Sequence, residues 1–127
     1  MANRRGGCDM ENVIIRANGE QIIANVAKGL WSQIKGLMFE RKKKNMLFVF
    51  PYKNRWSFWM FGVAYPLQII FMDENKRVLE VQYAQKMAWH PRTWKIYKPK
   101  EPCKYVLECA YPLDVSPGDV LEWKLEE

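Results

Sequence analysis

The stretch Trp56-Ser57-Phe58-Trp59-Met60, continued by Tyr65-Pro66-Leu67-Gln68-Ile69-Ile70-Phe71-Met72-Asp73, is the most apolar and aromatic part of this chain. It runs straight into a turn and another strand-like run, so the core of the molecule must gather around it. Leu67 to Met72 predicts a mostly buried strand. Met46-Leu47-Phe48-Val49-Phe50, ended by Pro51, predicts a strand covered on both faces. Phe48, Phe58, Ile69, Phe71 and Leu107 are the expected core.

The remaining elements follow from period and turn chemistry. Asn18-Gly19 between Val13–Ala17 and Glu20–Ala24 is a strong hairpin signal, because both turn residues must take φ > 0. From Val26 to Met38, Ala27, Leu30, Trp31, Ile34, Leu37 and Met38 recur at helical spacing, which predicts one short amphipathic helix near 26–38. Asp73-Glu74-Asn75-Lys76 reads as a four-residue hairpin loop with Asn75 in the left-handed region. Leu79, Val81 and Tyr83 alternate with polar residues as in a strand with one wet face. Residues 85–104 hold Pro91, Pro99, Pro102 and six Lys/Arg without a period, which predicts a long loop or flap. Tyr105, Leu107 and Cys109 mark another strand. Leu121, Trp123 and Leu125 mark a last one after the Pro117-Gly118-Asp119 turn. Seven to eight strands and one helix predict a mainly β domain over residues 13–127, an antiparallel or mixed barrel or sandwich, behind a flexible segment 1–12.

At 127 residues with 49% hydrophobic composition, one packed domain is expected rather than disorder. Residues 41–104 carry fourteen Lys/Arg against four Asp/Glu, a local net of +10, while the remainder is net −4. Such a basic middle suits an anionic partner, or is simply a solvated surface. Cys8, Cys103 and Cys109 fit no metal-ligand spacing, and a strand would hold the last two too far apart to bridge. Without a leader-like or membrane-spanning apolar run, a reduced, cytoplasmic protein with three free thiols is expected.

One ordered set of motifs is similar to a known family. Gly36-Leu37-Met38, Met46-Leu47-Phe48-Val49-Phe50-Pro51, Ser57-Phe58-Trp59-Met60, Pro66-Leu67 with Ile69-Ile70-Phe71 and Asp73, Tyr105-Val106-Leu107-Glu108 and Gly118-Asp119-Val120 resemble the domain of unknown function 192 family. The resemblance runs from about residue 20 to the C-terminus. It implies a compact, mainly β domain with a short helix after the first strands, and no particular activity. The chain departs from the family pattern at three places. Phe61-Gly62-Val63 stands for a Lys-Asn-Thr-like triplet, Gln68 for an acidic residue, and Cys103 alone for a cysteine pair. Family roles resting on those groups are not carried over.

No catalytic, metal or cofactor constellation emerges. The sole histidine, His90, lies in the flap with no spacing that ties it to a nucleophile or orienting carboxylate. No zinc spacing and no phosphate-cradling glycine loop occurs. Alternation along Trp56–Phe61 sends Trp56, Phe58 and Met60 to one face and Trp59 and Phe61 to the other. The second face is either covered by the flap, through Trp89, Trp94 and Tyr97, or open to a ligand. The candidate ligand-binding residues are therefore Arg55, Trp59, Phe61, Trp89, His90 and Arg92, around an aromatic cleft between 56–61 and 85–104. The favoured function is a non-enzymatic binding or accessory module, with a small molecule as the candidate ligand of that cleft. Single-stranded nucleic acid held by the basic middle, and an enzyme using His90, are the alternatives.

Overall fold

The structure, a computed structural model, describes residues 11–28, 43–60, 63–88, 90–93 and 95–125. The Asn-Gly signal sets its first element. Asn18 and Gly19 take φ 50° and 84°. They join β1 (Asn12–Ala17) to β2 (Glu20–Lys28) in a two-residue hairpin. The start of the expected helix is in fact strand, since β2 runs on through Val26 and Ala27, both buried. The remainder of that helix, 29–38, lies outside the described residues, as do residues 1–10 of the segment expected to be loose.

β2 pairs in parallel with β3 (Met46–Asn54), a pairing that needs a crossover rather than a tight turn between the two strands. The other strands are β4 (Phe58–Trp59), β5 (Leu67–Met72), β6 (Val78–Ala84), β7 (Ile96–Tyr97) and β8 (Cys103–Cys109). Six of them form one mixed sheet in the order β1-β2-β3-β8-β5-β6, while β4 and β7 form a separate two-stranded ribbon.

The central strands β3, β8 and β5 bury both faces, as their unbroken apolar runs require. On one face Phe48, Val106 and Phe71 sit side by side in register; on the other, Leu47, Leu107 and Ile70 do. Each row belongs to its own hydrophobic core. The sheet is thus the middle layer of the molecule.

Three expectations are corrected here. Pro51 does not end its strand: β3 continues to Asn54, and its register with β8 slips between Val49 and Asn54. A proline fits such an irregular, exposed stretch because no regular ladder needs its missing N–H. In the 73–77 turn it is Lys76, not Asn75, that takes the left-handed backbone, at φ 65°. The Asp73 carboxylate organises that turn by accepting the N–H groups of Asn75 and Arg77, at 2.8 and 3.0 Å. Finally, the chain around Leu121–Leu125 forms two isolated bridges, Arg16 with Glu122 and Arg77 with Val120, in place of a strand. This tail clasps β1 to the start of β6. Arg16 and Glu122 exchange two backbone hydrogen bonds at 2.9 and 3.0 Å, and the Leu121 N–H donates to the Lys76 carbonyl at 3.0 Å. The sheet is therefore not closed strand to strand; the tail links its two edges.

The candidate binding face on the β4–β7 ribbon

Phe58 pairs with Tyr97 and Trp59 with Ile96. Successive strand residues point to opposite faces, so each side of the ribbon has its own character. The inner side packs on the first core. Tyr97 and Met60 are buried there, and half-buried Phe58 meets Phe48 edge-on at 5.3 Å and Phe71 at 6.1 Å. Phe58 is thus a lid on the core rather than its centre, and the short β4 is peripheral. Trp56 stacks flat on Phe50, with ring centroids 4.4 Å apart, and its indole N–H donates to the Tyr52 carbonyl at 3.2 Å. The outer side carries Trp59 and Ile96, which are 56% and 62% exposed.

The two faces expected along Trp56–Met60 are therefore found, with Trp59 outward. The flap arrives differently. Its residues Ile96 and Tyr97 join the edge of β4 through a two-residue ladder, so the ribbon's outer face is built jointly by strand and flap. Residues 85–104 are also less irregular than expected, since they hold β7 and a 3-10 turn at Pro91–Thr93.

Of the candidate residues, Arg55 lies beside the flap: its Nε donates to the Pro99 carbonyl at 2.9 Å. His90 and Arg92 are exposed, and the His90 Nδ1 accepts the Arg92 N–H at 3.2 Å across the 3-10 turn, a local structural contact. Phe61 and Trp89, like Trp94, lie outside the described residues. Lys95, with Lys42, Lys43, Arg55 and Arg92, is expected from sequence to serve an anionic partner; Ile96 and Lys98 were not singled out, although they are near Trp59 by pairing or by neighbouring a pair. The signal for them was the short alternation Lys95-Ile96-Tyr97-Lys98, too brief to stand out between prolines. Lys95 places its ammonium 5.4 Å from the Tyr97 ring centroid.

The flanks of the ribbon are cationic. Residues 52–60 and 90–100 hold Lys53, Arg55, Arg92, Lys95, Lys98 and Lys100, and no Asp or Glu. Half-buried Glu80 of β6 faces this segment and accepts the Lys100 N–H at 2.9 Å, while Gln82 binds the Lys98 carbonyl at 2.9 Å. These two bonds hold 98–100 along the edge of β6. The basic loop near residue 43 stands apart. The Lys43 ammonium sits 5.3 Å from the Tyr111 ring, beyond the C-terminal end of β8, whereas Asn54, next to Arg55, pairs with Cys103 at the other end. Six residues of strand, about 20 Å, separate the two ends. The basic middle thus divides, and only its 55 and 92–100 parts adjoin the ribbon.

Other grooves lie elsewhere on the described surface. One of about 630 Å³ separates Glu11–Ile14 of β1 from the tail at Val120–Lys124. A smaller apolar one of about 290 Å³ lies between Pro66–Gln68, Tyr83–Gln85 and Cys109–Pro112. Gln68, at the floor of the latter, is buried and fully engaged: its amide donates to and accepts from the backbone of Leu113, both at 2.8 Å. Cys103 and Cys109 are free, buried thiols, held up at about 11 and about 12 chiefly by desolvation, which makes them poor nucleophiles. Among the described residues no group of three or more His, Cys, Asp or Glu could hold a metal ion, and no helix is long and apolar enough to cross a membrane.

A model of the domain of unknown function 192 (DUF192), described as an uncharacterised ACR, matches residues 13–123. The chain belongs to this family. It is similar to the UPF0127 protein of Thermococcus gammatolerans, 32% identical over 102 residues that make up 75% of this chain and 62% of that protein. The UPF0127 protein of Pyrococcus furiosus is 31% identical over 94 residues, 69% of this chain and 75% of the relative. The chain thus spans somewhat less than two thirds of the Thermococcus relative. Two crystal structures share the DUF192 fold seen here, each with a TM-score of 0.72. One, at 1.22 Å, is a protein of unknown function from Novosphingobium aromaticivorans, 25% identical and covering 90% of this chain and 85% of its own. The other, from Sinorhizobium meliloti, is provisionally described as a transcription regulator; it is 26% identical and covers 91% of this chain and 94% of its own.

Proposed function

We propose that this DUF192 domain is a non-enzymatic binding or accessory module that holds an anionic partner on the outer face of the β4–β7 ribbon. One observation carries this reading: Trp59 and Ile96 point outward, opposite each other, while their neighbours Phe58 and Tyr97 pack inward on the core. An exposed tryptophan beside an exposed isoleucine gives up roughly 1.5–3 kcal/mol of burial per large side chain, a cost more consistent with a contact surface than with core building. The cations flanking the pair, in excess over Glu80 beside Lys100 and the Glu74 that pairs with Lys53, support an anionic partner. Free, buried Cys103 and Cys109 support a reducing, cytoplasmic setting.

Chromatography on immobilised heparin tests the anionic face. The wild-type chain should be retained at low salt. A Lys95→Gln/Lys98→Gln/Lys100→Gln variant should elute at clearly lower salt with an unchanged thermal midpoint, because these three side chains are exposed. Equal elution of the two proteins would remove the ribbon from consideration.

A further inference from the structure

Resting on that reading, we infer that the anionic partner is single-stranded nucleic acid, with a base stacked on Trp59 and phosphates held by Arg55, Lys98 and Lys100. Three features narrow the class. First, the apolar element of the face is a flat indole with 56% of its surface exposed, on a short ribbon anchored from beneath by Phe58 and Tyr97. An exposed aromatic ring is a stacking platform, and any base offers it a π-face. Second, the cations form a track rather than a point. Lys98 and Lys100 flank Pro99 in a segment tied along β6 by Gln82 and Glu80. The Arg55 guanidinium is held beside the same segment by its bond to the Pro99 carbonyl, leaving its remaining N–H donors for a phosphate. Third, stacking on a ring requires an unstacked base face, which a duplex buries between neighbouring base pairs, and this selects single strands over double helix. An acidic peptide would use the cations without needing the ring, whereas a sulfated sugar stacked on Trp59 would lose heparin retention in Trp59→Ala.

The experiment is fluorescence anisotropy of the full chain with a short labelled oligo(dT) and oligo(U), with heparin and poly-glutamate as competitors, starting at about 50 mM salt where attraction between charges is strongest. Wild-type protein should bind the oligonucleotides. Trp59→Ala should weaken that binding by at least about fivefold, the lower end for loss of one stacked base, and Trp59→Phe should recover most of it. Lys98→Gln should lower the log–log salt slope by about 0.7, the value for one contact to a single strand. Heparin retention should be unchanged in Trp59→Ala. Retention on heparin that depends on the lysines, together with no oligonucleotide binding, would overturn the nucleic-acid assignment and leave the anionic face intact. So would oligonucleotide binding that Trp59→Ala leaves unaltered. Stronger competition by poly-glutamate than by oligo(dT) would identify an acidic protein as the partner instead. Loss of both heparin and oligonucleotide binding at low salt would overturn the face itself.

Discussion

Glu108 is the residue at which local pattern and structure part most sharply. Alternation along Tyr105–Cys109 sends Tyr105, Leu107 and Cys109 inward and would leave Glu108 in water. That logic assumes one wet face, and β8 has none. Glu108 pairs with Met46 on one side and Ile69 on the other, beneath the first core, and is 5% exposed. Burial pushes its carboxyl up to about 8 from the ordinary 4.5, since a charged carboxylate loses its hydration there. The folded chain therefore keeps the Glu108 proton at pH values where the unfolded chain has released it. Between about pH 4.5 and 8 unfolding releases a proton, so rising pH favours unfolding. This group alone should lower stability by about 1.4 kcal/mol per pH unit in that window, with no further change above about pH 8. Glu108→Gln removes the titration while keeping a neutral side chain of the same shape. Urea midpoints at pH 5, 6.5 and 8 should then show the variant gaining on the wild type as pH rises; parallel curves would place the carboxyl in water.

At the scale of elements, what was legible is what local chemistry dictates. The Asn18-Gly19 hairpin and the strands at 46–50, 67–72 and 105–109 follow from turn residues and apolar runs, and they form the sheet. The end of the first hairpin was not legible, because Val26 and Ala27 belong equally to a helical stripe and to a strand buried against β3; pairing with Leu47 and Phe48 decides the matter. Nor was the β4–β7 pairing, because two-residue strands leave almost no periodic trace, and so the place of Ile96 opposite Trp59 was not foreseen. The hairpin also permits a clean test of backbone cost. A Cβ on Gly19 would meet nothing within 4 Å, yet φ there is +84°. Gly19→Ala should thus destabilise by about 1–2 kcal/mol through left-handed strain alone. Lowered denaturant midpoint with an unchanged slope is the expected result; no loss at all would mean the turn relaxes to another type.

For the whole molecule, the tail decides whether the two edges of the sheet behave as one unit. Its role was half legible. Alternation at Leu121, Trp123 and Leu125 correctly marks which side chains turn inward, but a strand was expected where isolated bridges stand. Leu121 and Trp123 are buried in the second core together with Val13 and Ile15 of β1, Met72 of β5 and Val78 of β6. The Trp123 ring meets Tyr105 of β8 edge-on at 5.1 Å, and the Lys76 ammonium lies 4.7 Å from its centroid while donating to the Trp123 carbonyl at 2.8 Å. One indole therefore touches β8 and the turn before β6 from a tail bridged to β1, and removing it leaves a cavity that no single element can refill. Trp123→Ala should cost about 3–5 kcal/mol, a large share of a typical total of 5–15 kcal/mol. The loss should appear in the global transition, with tryptophan fluorescence and circular dichroism midpoints shifting together. Hydrogen exchange supplies the contrary outcome. If the Arg16 and Glu122 amides exchange faster in Trp123→Ala while β5 and β8 keep their protection and the global midpoint holds, the tail is a separately opening strap and not the closure of the sheet.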